Sequence, residues 1–204
     1  MRDLLVEQSI FEYKIIKEQN QSKRLKGVFQ RANVKNANGR VYKEDILRRE
    51  VEKLTPSVKG RTLVGQLDHP QTATIEYGKA SHLITELIYD DKTGTVIGEV
   101  ELLNTPSGKI VESLIDANVK VGISSRGLGT VENAIDEKSG ENVLVVNDDY
   151  QWVTEDIVCE PSTPGSYLQL SESLLRKIYL KDISKPANLR KEVYNIVEEF
   201  LKKS

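Results

Sequence analysis

Apolar and polar residues alternate along 27–34, 79–89 and 95–102, the period of a strand with one face turned to a core. Asp90-Asp91-Lys92-Thr93-Gly94 supplies turn residues between the last two, so 79–89 and 95–102 are expected to pair as a hairpin. Shorter apolar runs at 61–67, 119–124, 143–147 and 151–159 predict further strands, with an acidic turn between the last two. Asn36-Ala37-Asn38-Gly39 reads as a tight turn, because Asn-Gly tolerates positive φ.

Two stretches switch to helical spacing. Residues 42–54 carry Ile46, Leu47, Val51 and Leu54 on one face, with Pro56 just past the expected end. Thr105-Pro106 predicts a helix start, since a threonine caps well and a first-turn proline lacks only an N–H that would go unused. Its apolar face is expected to be Ile110, Val111, Leu114 and Ile115. Residues 170–180 and 189–203 also read as helices, separated by a linker around Lys185-Pro186. Residues 1–24 mix short apolar runs with Lys, Glu and Gln and read as a weakly specified arm. The pattern predicts an α+β protein: an arm at 1–24, a strand-rich domain at 25–168 flanked by helices, and a helical C-terminal tail at 169–204.

The chain has 204 residues, 38% hydrophobic and 29% charged, which suits one globular domain with tails. A net charge of -2 provides no field for nucleic acid, and no apolar run reaches the length of a membrane span. The single cysteine, Cys159, cannot form an internal disulfide, and the acids near Met1 come too early for a secretory signal. A cytoplasmic location is expected. Two histidines and one cysteine lack zinc-ligand spacing, and Asp90-Asp91 and Asp148-Asp149 are too short for a calcium loop. Gly127-Leu128-Gly129 lacks the third glycine and the helix of a dinucleotide motif. Neither metal nor cofactor is expected.

Candidate chemistry centres on three places. His69 follows an apolar run, and Pro70 holds it extended, a good placement for a base at a cleft; a plain loop histidine fits the same pattern. His82 sits inside an alternating strand and reads as a satisfied strand histidine. Gly122-Ile123-Ser124-Ser125-Arg126-Gly127 reads as a strand breaking into serines and glycines, which would expose a nucleophile beside free N–H groups; a capped strand-to-loop turn fits equally. Among strand residues, Asp156 and Glu155 are equal contenders for an acid turned inward to an imidazole.

Together these stretches resemble the prohead core proteases of tailed bacteriophages, distant relatives of the herpesvirus assemblins. Four segments carry the resemblance: Gly27-Val28-Phe29 with Asn38-Gly39-Arg40-Val41-Tyr42; Gly65-Gln66-Leu67-Asp68-His69-Pro70; Gly122-Ile123-Ser124-Ser125-Arg126-Gly127-Leu128-Gly129; and Asp156-Ile157-Val158-Cys159-Glu160-Pro161-Ser162. The resemblance implies a compact antiparallel β-barrel-like core and a serine endopeptidase. By position, His69 matches the base, Ser124 the nucleophile with Ser125 as the alternative, and Asp156 the acid that orients the histidine. Backbone N–H groups of Arg126 and Gly127 would hold the oxyanion.

The implied substrates are scaffold, core and capsid proteins inside the immature phage head, cut after Glu in a Leu/Ile-x-Glu context. Self-association is a further candidate property. In this chain Leu170-Ser171-Glu172 precedes the small Ser173 and makes Glu172-Ser173 a candidate autocleavage site. The competing reading is a non-enzymatic capsid or tail protein of related fold. An esterase is disfavoured, because Gly122-Ile123-Ser124-Ser125-Arg126 lacks the last glycine of a Gly-x-Ser-x-Gly elbow.

Overall fold

A computed structural model describes residues 2–9, 14–16, 23–136 and 140–158. The expected C-terminal helices, Cys159 and Glu172-Ser173 lie outside the described residues. In chain order the elements are β1 (Asp3–Ser9), β2 (Lys14–Ile16), β3 (Arg24–Arg31), β4 (Arg40–Val41), α1 (Glu44–Lys59) and β5 (Val64–Gln66). A 3-10 turn (Tyr77–Lys79), β6 (Ala80–Asp90), β7 (Thr95–Leu102), α2 (Pro106–Asp116) and β8 (Gly122–Gly129) follow. The last three strands are β9 (Val131–Ile135), β10 (Asn142–Val146) and β11 (Gln151–Val158).

The strands form three sheets, ordered β2-β3-β7-β6-β5, β1-β8-β11 and β4-β10-β9. All pairings are antiparallel except β4 with β10. A single parallel bridge, Leu67 to Ile157, stitches the end of β5 to β11 and so joins the first two sheets. Among the described residues no pairing closes the other side. The core is therefore antiparallel and flanked by two helices, as expected, but it is an open arrangement and not a barrel: β1 and β2 remain outer strands.

The hairpin of β6 and β7 forms where alternation and turn chemistry coincide. Asp90 caps its turn by accepting from Lys92 N–H and Thr93 Oγ1, and Gly94 takes a positive φ of 65°. Thr105 caps α2 by accepting from Gly108 N–H at 3.1 Å, and its hydroxyl also donates to Ala80 O, which ties the helix to β6. Val111 and Ile115 are buried against the sheet, whereas Ile110, expected on the apolar face, is 52% exposed. The contact stripe of this short helix is narrower than its apolar composition.

Two further boundaries differ from expectation. Pro56 lies inside α1, near its end; it forgoes one N–H bond to the preceding turn, yet the helix runs on to Lys59 and Gly60 N–H closes on Pro56 O. Residues 3–9, read as part of an arm, pair along β8 from Asp3–Gly129 to Ser9–Ile123. Leu5 from this strand is buried in the main core with Ile123, Tyr150 and Trp152.

Candidate active site

The serine-glycine stretch that reads as a loop is the centre of a sheet. β8 runs through Gly129 with β1 on one side and β11 on the other. Gly127 belongs there for space: a Cβ would lie 2.4 Å from the Tyr150 ring. Pleating turns alternate side chains to opposite faces, so Ser124 and Arg126 share one face, while Ser125 takes the other. Ser125 Oγ accepts from Gln30 Nε2 at 2.5 Å on that far side and does not meet His69. The alternative nucleophile is thus placed away from the base.

On β11 a bulge between Trp152 and Thr154 sets the phase of the acids. After it, Asp156 stands directly opposite Ser124, and Glu155 opposite Ser125. α1 holds the bulged strand, since Glu50 accepts from Trp152 N–H at 3.0 Å and Arg49 donates to Tyr150 O at 2.9 Å.

His69 arrives from β5. Leu67 bridges to Ile157, and Asp68 N–H donates to Ile157 O at 2.8 Å. Asp68 then takes a φ of 62°, a left-handed conformation that Asp tolerates better than most residues, and the chain turns. The imidazole lies between the two strand residues, with Nδ1 2.8 Å from Asp156 Oδ2 and Nε2 hydrogen-bonded to Ser124 Oγ. The His69 side chain keeps 12% of its surface exposed, while Ser124 and Asp156 are fully buried. Gly65 permits the approach of β5: a Cβ there would lie 1.9 Å from Glu155 O and 2.3 Å from His82 Nε2.

Hydrogen-bond accounting assigns the imidazole tautomer. Asp156 receives Gln66 N–H at 3.0 Å and Arg126 through Nε at 2.9 Å and Nη2 at 3.1 Å, so its two oxygens serve as acceptors. Nδ1 of His69 is then the donor to Oδ2, and Nε2 presents its lone pair to the Ser124 hydroxyl.

Arg126 and Gly127, whose N–H groups were expected to hold the oxyanion, lie in the ladder of the central strand β8. Arg126 pairs with Val6 and Thr154, and Gly127 with Leu5 and Trp152. Their N–H groups lie in the sheet plane and are directed to neighbouring strands, not to the face where Ser124 meets His69. The Arg126 side chain enters the site instead. Sequence reasoning missed this, together with Gln66 and the carbonyls of Thr72 and Thr74 that the guanidinium contacts. An arginine within an apolar and small-residue strand was the available signal, because a buried cation requires a partner.

His82 is a satisfied strand histidine, as expected. It is fully buried, donates from Nε2 to Glu155 O at 3.1 Å and accepts at Nδ1 from Ser81 Oγ at 2.9 Å. Burial pushes its imidazole down to about 4, against a smaller opposing pull from Asp156. The Glu155 side chain is also buried, with no hydrogen-bond partner on either carboxyl oxygen among the described residues. Desolvation holds it well above the usual carboxylate range, and the neighbouring Asp156 adds to the shift. Trp152 Nε1–H donates to Thr154 O at 3.2 Å, and the nearby indole N–H opposes the upward shift of Glu155 only in part.

Comparison with known proteins adds a class to this geometry. A family model described as prohead core protein serine protease matches residues 6–174. The prohead core protein protease of Enterobacteria phage T4 is 27% identical over 154 residues, which cover 72% of this chain and 68% of that protein. The solved structure of the bacteriophage T4 capsid assembly protease, gp21, has the same fold, with a TM-score of 0.69 at 24% identity over 77% of this chain and 98% of that one. The molecule is thus a proteolytic enzyme on an open antiparallel scaffold, which removes the non-enzymatic reading. The chain belongs to the prohead core protein serine protease family. No helix among the described residues is long and apolar enough to cross a membrane.

Proposed function

We propose that the chain is a Ser-His-Asp endopeptidase that matures the phage head, with Ser124 as nucleophile, His69 as general base and Asp156 as the orienting acid. The observation that carries this reading is a single imidazole hydrogen-bonded to Asp156 through Nδ1 and to Ser124 through Nε2. In that tautomer Ser124 Oγ attacks the scissile carbonyl as its proton passes to Nε2. The resulting imidazolium, stabilised by Asp156 at Nδ1, gives the proton to the leaving amine. Water then releases the acyl group by the same base.

The T4 relatives are named for the prohead core and for capsid assembly. That likeness supports core and capsid proteins of the prohead as substrates, and the family resemblance of the sequence adds scaffold proteins and a cut after Glu in a Leu/Ile-x-Glu context. A protease domain that runs to 168 and includes β1, followed by a tail at 169–204, fits self-processing at Glu172-Ser173, which would detach the tail from the domain that holds the three residues. Incubation of wild type and Ser124→Ala with a Leu-x-Glu-Ser peptide, followed by intact-mass analysis of both, tests the whole reading. Loss of peptide cleavage in Ser124→Ala alone, with Ser125→Ala active, is expected. Turnover by Ser124→Ala would overturn the nucleophile. A wild-type chain that cuts the peptide yet stays full length would remove the self-processing.

A further inference from the structure

We infer that Arg126 is a positioning residue of the site, acting through Asp156 and through the segment that follows His69. This rests on the reading of Ser124, His69 and Asp156 as a catalytic set. Arg126 is fully buried, and a guanidinium has five N–H donors in a fixed planar fork. All five are met. Nε donates to Asp156 Oδ2 at 2.9 Å, and Nη2 donates to Asp156 Oδ1 at 3.1 Å and to Gln66 Oε1 at 3.0 Å. Nη1 donates to the carbonyls of Thr72 and Thr74, both at 2.9 Å.

The acceptors come from three places: β11, the end of β5, and the loop between His69 and the 3-10 turn. One planar cation on the nucleophile strand therefore fixes the parts that carry the acid and flank the base. The two-point contact sets the plane of the Asp156 carboxyl group. Oδ2, the oxygen shared by Arg126 Nε and His69 Nδ1, is held where the imidazole needs it. Arg126 touches no reacting atom, so its loss leaves the three residues present and misaligned. A misplacement on the order of 1 Å in such a constellation costs about a hundredfold in rate. Lysine keeps the charge but has three donors on a flexible stem, so at least two of the five hydrogen bonds are lost.

The test is Arg126→Lys in the full chain, assayed for kcat and KM on a Leu-x-Glu-Ser peptide. The proton spectrum is followed for the downfield His69 Nδ1–H resonance, and the folded fraction is measured in the same buffer. Expected is a fall in kcat of roughly 10- to 100-fold per folded molecule, with KM little changed and the Nδ1–H resonance shifted or lost. Wild-type kcat per folded molecule, or an unmoved Nδ1–H resonance, overturns the proposal and leaves Arg126 a stabilising residue only. If Arg126→Lys does not fold, Gln66→Met carries the test, because it removes one acceptor and leaves the guanidinium intact. A several-fold loss of kcat is expected there, and an unchanged kcat refutes the inference. Ser124→Ala, run alongside, separates the two readings. Activity in that variant sinks the catalytic set itself, whereas its inactivity beside a fully active Arg126→Lys sinks only the role of Arg126.

Discussion

His82 makes folding stability depend on pH in a way that one substitution isolates. Its ring is fully buried and neutral, accepting from Ser81 and donating to the carbonyl of Glu155. Folding lowers its value from 6.5 to about 4. A lowered folded value means that the unfolded chain takes up the proton first, so the stabilisation is whole above pH 6.5 and is lost as pH falls toward 4. Each unit is about 1.4 kcal/mol, so the 2.5 units between 6.5 and 4 correspond to a loss of about 3 kcal/mol. The assay is urea unfolding of wild type and His82→Gln at a series of pH values from about 7.5 to 4, read as midpoint and slope. The glutamine reaches for the same two partners without a charge to gain. It is expected to be the less stable protein at neutral pH, and the gap should narrow by about 3 kcal/mol as the pH falls. Groups that do not interact with His82 are common to both proteins and drop out of the difference, so the change in the gap reports the His82 ring and its coupling to Asp156. A gap that stays constant across the series would refute the reasoning.

Glu155→Gln should stabilise the protein at neutral pH: the folded carboxyl is held well above 4.5, so its contribution is favourable below that value and is lost as pH rises. The advantage of the variant, read from thermal midpoints, should shrink on acidification toward 4.5. Gly65→Ala places a carbon 1.9 Å from Glu155 O and should cost about 3 kcal/mol or prevent folding, measured by urea unfolding. Thr105→Ala removes the α2 cap and should cost about 1 kcal/mol with kcat unchanged.

The hairpin of β6 and β7 and the start of α2 were legible because local signals agreed with the tertiary outcome: alternation around the turn Asp90-Asp91-Lys92-Thr93-Gly94, and a capping threonine before proline. Residues 125–129 were not, because serine and glycine in a row look like a loop. Here Gly127 makes room for the Tyr150 ring, a neighbour that no local window contains. His69, Ser124 and Asp156 were nameable, but the choice of Asp156 over Glu155 was not available from pattern. Alternation decides faces only in an unbroken strand, and the bulge at Trp152–Thr154 shifts the count. The role of the Arg126 side chain was also hidden, since its acceptors are scattered over residues 66 to 156.

Ser124 has no exposed surface, and the imidazole bonded to it shows only an edge. On the proposed reading of Ser124 as nucleophile, its hydroxyl has to become accessible before it can meet a scissile carbonyl. Measured affinity then contains an opening equilibrium: a state open about 1% of the time weakens apparent binding by about a hundredfold. Dilute protein in free solution would be slow for a reason unrelated to its proton chemistry. A higher local concentration of substrate would raise the occupied open state by mass action, and the apparent rate with it.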